Sequence, residues 1–147
     1  MGGHPYWYTV PYQQDIYTAL HELRQQEFQA GRYNPVTPFP AFPITASSPA
    51  PGARHRDIDD AMEASDADGT RSILDISSIS AEPDYLTAAP LSDDALTSYF
   101  GTTQPSHAIV ESNMTFLEDV KRGQAVYIIL YEKGVPAELL FAGYSFD

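Results

Sequence analysis

The sequence predicts the α+β class: a single small domain over residues 1–147, with a mainly antiparallel sheet of about four strands packed by about four helices. Three observations predict it. The last 24 residues contain two apolar, β-branched and aromatic runs, 125–131 and 137–144, flanking Glu132-Lys133-Gly134-Val135-Pro136 as a C-terminal β-hairpin would. Residues 15–31 carry a helical apolar period with matching start and stop signals. Further short strand and helix patterns alternate between them without any internal repeat.

Tyr6 to Tyr12 is aromatic and β-branched and bracketed by Pro5 and Pro11, which makes it a short strand that lies at a sheet edge or terminates early. Asp15 caps a helix to Ala30 whose stripe is Ile16, Ala19, Leu20 and Leu23, with Glu22, Arg24, Gln25, Gln26 and Gln29 on the solvated face. Gly31 suits its left-handed end. Residues 34–54 hold half of the 12 prolines and form a proline-rich loop, since no helix survives that density.

Asp57 caps a short helix that buries Ile58, Ala61, Met62 and Ser65, and Ser72 to Ile76 follows as a strand. Ser92 caps another helix, with two acids in its first turn and Gly101 at its end. Pro105 opens a longer helix whose stripe runs from Ile109 to Val120 and which stops at Gly123. The hairpin strands are apolar on both faces, so they are central and covered, or they form a homodimer surface through the C-terminal hairpin.

Composition narrows the function classes. There is no cysteine, which removes disulfides, thiolate metal sites and cysteine nucleophiles. The amino terminus has no basic and apolar leader pattern, and the longest apolar run, 125–131, is far below the roughly 20 residues of a membrane span, so the chain reads as cytoplasmic. Scarce lysine and asparagine beside abundant alanine suggest a bacterial source.

The formal charge of −12 is concentrated: residues 57–94 hold eleven acids against Arg71 alone. That sign opposes binding to nucleic acid or to anionic membrane surfaces and suits a basic protein or a cation.

No catalytic residue stands out. His4, His21, His55 and His107 are isolated in sequence, and nucleophile-elbow, phosphate-loop and dinucleotide patterns are lacking. If the chain were an enzyme, its site would assemble only in three dimensions, around strand-end and loop residues such as Arg71, Asp75, Tyr127 and Glu132.

A divalent-cation alternative lies in the loop 66–75. Laid over an EF-hand with Gly69 as its glycine, Asp66, Asp68 and Asp75 fall on ligand positions, although Ala64 stands at the first. The preferred expectation is a small acidic protein-binding module, of antitoxin, immunity or regulatory type. It would dock a basic partner through Asp57, Asp59, Asp60, Glu63, Asp66 and Asp68, with Tyr6, Trp7 and Tyr8 adding contact area.

Overall fold

The computed structural model describes residues 3–146. Its architecture is α+β, with a five-stranded sheet in the order β1-β5-β4-β3-β2. The strands are β1 (Pro5–Pro11), β2 (Ser78–Ile79), β3 (Thr87–Pro90), β4 (Ala125–Glu132) and β5 (Val135–Tyr144). The helices are α1 (Ile16–Ala30), α2 (Ile58–Ala64), α3 (Asp93–Phe100) and α4 (His107–Glu111). Among the described residues no helix is long and apolar enough to cross a membrane.

The sheet is mixed: its long pairings are antiparallel, as expected, and its short ones are parallel, which the sequence did not indicate. β5 pairs antiparallel with both β1 and β4, whereas β3 runs parallel to β4 and β2 parallel to β3. Connection length permits the parallel pairing of β3 with β4: α3 and α4 lie between them, and a crossover of that size can return the chain in the same direction. β2 and β3 escape the sequence pattern because they are short and because β3 is built on Ala88 and Ala89, which have weak strand preference.

The hairpin is tighter and longer than its sequence suggests. Glu132 pairs with Val135, leaving Lys133 and Gly134 as a two-residue turn with φ of 52° and 79°. Positive φ at both positions matches the turn twist to that of the strands, so Val135 and Pro136 join β5. Alternation along the two strands then feeds two cores. Ala125, Leu139 and Phe141 join Tyr6, Tyr8, Leu20, Leu23, Ile73 and Ile76 on one face. Val126, Ile128, Leu130, Leu140 and Ala142 join Leu96, Val110, Phe116 and Leu117 on the other. Two-sided apolarity therefore reflects a covered central hairpin, and the argument for a homodimer through it disappears.

α1 forms as its caps predict: Asp15 accepts from the Thr18 N–H, and Gly31 closes the helix at φ 75°. Gly52 donates to the Ala30 carbonyl at 3.0 Å, so the far end of the proline-rich loop is tied to the end of α1. In that loop Phe42 and Ile44 are half-buried against the core.

Two expected elements take other forms. Residues 72–76 are not a strand; Ile73–Asp75 is a buried 3-10 turn capped by Ser72. The carboxylate of Asp75 reaches back to the N–H and hydroxyl of Thr70, at 2.9 and 2.8 Å, closing a loop that extended backbone cannot form. The long helix opening at Pro105 also breaks. Ser106 caps α4, which ends after five residues, and a 3-10 stretch follows over Met114–Asp119. Asn113 causes the break: its Oδ1 accepts from the Thr115 hydroxyl at 2.6 Å while its Nδ2 donates to the Tyr99 carbonyl at 2.9 Å.

Gly143 lies opposite Tyr6 in the sheet, where a Cβ would come within 2.6 Å of the Gln124 carbonyl oxygen and 2.8 Å of the Tyr6 hydroxyl. The backbone oxygen belongs to a paired segment and cannot retreat. Gly143→Ala should therefore cost about 1–3 kcal/mol in chemical denaturation, and an unchanged midpoint would contradict this packing.

Candidate functional site

The acids of the 57–68 stretch form a ridge on and just beyond α2. Asp57 caps the helix by accepting from the Asp60 N–H at 2.8 Å, and Asp60 in turn accepts from the Arg56 N–H at 3.1 Å. Asp57, Asp59, Glu63, Asp66 and Asp68 are exposed and Asp60 is half-buried. Asp59 and Asp60 lie in the first turn, where the helix dipole favours them. Arg56 approaches Asp57 at 3.6 Å with both side chains exposed, a contact worth little in water.

The aromatic half of the expected docking surface is not exposed. Tyr6 and Tyr8 are core residues, because even-numbered positions of β1 point at α1. Trp7 faces the opposite side and is half-covered, its ring 5.7 Å from that of Phe42. The cation loop also fails to form. Asp66 and Asp68 face solvent while Asp75 is 2% exposed and turned inward, and no cluster of three metal-ligating side chains occurs among the described residues. The residues considered for an enzyme stand in different settings. The Arg71 guanidinium lies over Phe39, 4.3 Å from its centroid, Tyr127 packs on Phe141, and Glu132 is exposed beside the hairpin turn.

Asp75 belongs to a buried polar knot that sequence reasoning did not anticipate. Its Oδ1 takes both bonds from Thr70, whose hydroxyl also meets the Ser72 hydroxyl at 2.9 Å. The Tyr8 hydroxyl accepts from the Ile73 N–H at 3.3 Å, and Asn34 donates to the Gly69 carbonyl at 2.8 Å. Arg24, assigned by its helical position to the solvated face, instead donates to the Leu74 carbonyl at 2.6 Å. Burial lowers its pKa. Asp75 Oδ2 and the Tyr6 hydroxyl are buried without a hydrogen-bond partner. Burial pushes the Asp75 carboxyl up despite the Thr70 bonds, and burial with the nearby Asp75 charge pushes the Tyr6 phenol well up.

A groove of about 530 Å³ opens at the outer edge of β1. Leu23, Gln26 and Glu27 of α1 form one wall, His107, Val110 and Glu111 of α4 another, and Pro43 to Thr45 close one end. Glu27 is fully buried and held bidentate by Arg32, with both bonds at 2.7 Å. His107 bridges Glu111 and Glu138 at 3.0 Å each, and the Glu111 hydrogen bond, with help from Glu138, raises its pKa. Glu27 was legible in one respect: it continues the Leu20 register of the α1 stripe by seven residues, so a carboxylate on that face required a partner. His107 and Glu111 stand four residues apart, a spacing that pairs side chains on a helix, whereas Glu138 carried no signal because β5 meets α4 only in the folded chain.

With this geometry in hand, comparison with protein-family models, with curated proteins and with solved structures finds no match. The class this structure defines is thus a mixed α+β sheet protein with an acidic ridge on one helix and a groove at one sheet edge.

Two predictions follow from the buried charges. Arg32→Met leaves Glu27 without its cation and should destabilise by about 3–5 kcal/mol in urea titration, while adding Glu27→Leu should recover most of the loss. A single variant as stable as the parent would refute the pairing.

Because the Asp75 pKa is raised on folding, the folded state binds that proton more tightly than the unfolded chain. Its stabilising contribution is complete below the ordinary carboxylate value of about 3.9 and is lost as pH rises through the raised value. Asp75→Asn keeps an acceptor for Thr70 and removes the ionisation. Its stability relative to the parent should climb between pH 4 and pH 8, and parallel pH profiles would disprove this.

Proposed function

We propose that this chain is a small acidic protein-binding module, of antitoxin, immunity or regulatory type, that docks a basic partner protein. The observation that carries the reading is the row of solvent-facing carboxylates on and after α2: Asp57, Asp59, Glu63, Asp66 and Asp68. Clustered charge of one sign raises the rate of encounter with a partner of the opposite sign and disfavours partners of the same sign. A short helix presents the row, pinned to the core by Ile58 and Ala61. Absence of cysteine fits a reducing cytoplasmic setting, and the residue usage of the chain fits a bacterial one.

The test separates charge from folding. Asp57 and Asp60 hold the first turn of α2 and should be left intact. Reversing Asp59, Glu63, Asp66 and Asp68 to Lys leaves that cap in place. Against the basic protein that the parent retains from its source cells, the reversed variant should associate more slowly, on the order of tenfold at low salt, with a flatter salt dependence. An unchanged on-rate in a variant with an unchanged thermal transition would sink the proposal.

A further inference from the structure

We infer that the outer edge of β1 is a strand-addition site, taking a short extended segment of a basic protein as a sixth strand of the sheet. The basic character of that segment deepens the function proposed above; the edge geometry stands independently of it. In an antiparallel pair, the backbone groups of alternate residues point at the partner strand and those between them point away. Tyr12 donates to the Ala137 carbonyl at 3.1 Å and Ser145 donates to the His4 carbonyl at 3.0 Å, so even-numbered residues of β1 bond to β5. The outward-facing set is Pro5, Trp7, Thr9 and Pro11. Prolines bring no N–H, so the outward donors are those of Trp7 and Thr9, and no backbone or side-chain partner meets either group among the described residues.

An unpaired edge is usually covered, charged or twisted away. Here Phe42 covers one end, its ring 5.7 Å from Trp7 and 5.1 Å from Tyr8, while Thr9 remains exposed. Beyond Phe42 lies the groove of about 530 Å³, lined by Trp7, Tyr8 and Thr9 along the strand itself. That volume lies within the range of roughly 300–1,000 Å³ typical of ligand sites. The two prolines limit pairing to a segment of about five residues, whose main chain supplies affinity and whose alternate side chains supply selectivity.

Charge selects the occupant. One row of the incoming side chains would face Leu23 on the α1 wall, where Glu27 is already neutralised by Arg32. The other row would face His107, Val110 and Glu111. At that wall Glu111 and Glu138 share one imidazole, so the rim stays negative even when His107 is protonated. A segment with apolar residues on one side and Lys or Arg on the other meets both walls.

The experiment uses the full chain and the heptapeptide Lys-Val-Lys-Val-Lys-Val-Lys. Trp7 is the sole tryptophan, so its fluorescence reports on the groove directly. Saturating peptide should shift that emission and slow amide exchange at Trp7 and Thr9 about tenfold at ten times its dissociation constant. The same peptide N-methylated at alternate amides, and the Glu-Val counterpart, should do neither.

Thr9→Pro removes an outward N–H that the sheet does not use and should abolish binding; if that variant does not fold, the N-methylated peptide decides instead. Reversing Asp59 and Glu63 to Lys should leave the exchange protection unchanged, which separates this site from the acidic ridge. Unslowed exchange at Trp7 and Thr9 with millimolar peptide would overturn the inference. So would equal binding of the N-methylated peptide, or loss of protection in the ridge variant.

Discussion

β5 is hydrogen-bonded along both edges and covered on both faces, and every other layer of the structure takes its position from it. Its pairing with β1 joins the first described strand to the last, from Pro5 opposite Tyr144 to Pro11 opposite Glu138. Its pairing with β4 sets which residues face α1 and which face α3 and α4. A slip of one residue would turn Phe141 and Leu139 toward the wrong core, since side chains alternate strictly along a strand. The bulge between Leu130 and Tyr131 absorbs a register shift near the turn without disturbing the central pairs.

Around that centre the polar groups divide by role. Glu27 with Arg32, and Asp75 through its Oδ1 with Thr70, are bonded inward and tie α1 and the 70–75 loop in place. Removing water from such groups costs more than an apolar replacement would. The acids of α2 do the opposite. They contribute little to packing, since Ile58, Ala61 and the half-buried Met62 anchor that helix, and they leave a field available to another molecule.

The groove arises from a conflict at the sheet edge. Pro5 and Pro11 blunt the ends of β1, and the proline-rich loop brings Phe42 across part of it. The loop does not complete the cover, because prolines at 38, 40 and 43 deprive it of the N–H groups with which a sixth strand would pair. A partly guarded edge between the walls of α1 and α4 results.

The α+β class, α1 with both its caps, the short α2, the Ser92 cap of α3 and the terminal hairpin were all legible in the sequence, because each is specified by residues close together in the chain. Where a distant partner competes, local pattern misleads. Residues 72–76 look like a strand until Asp75 finds Thr70, and 105–123 looks like one helix until Asn113 finds Tyr99. The same holds for the candidate sites. The acidic stretch was readable from composition, whereas the burial of Tyr6 and Tyr8, the parallel pairing of β3 with β4, and the groove between α1, α4 and β1 were set by the tertiary structure. Charge and local periodicity are properties of neighbours along a chain; burial and edge exposure exist only once the layers have met.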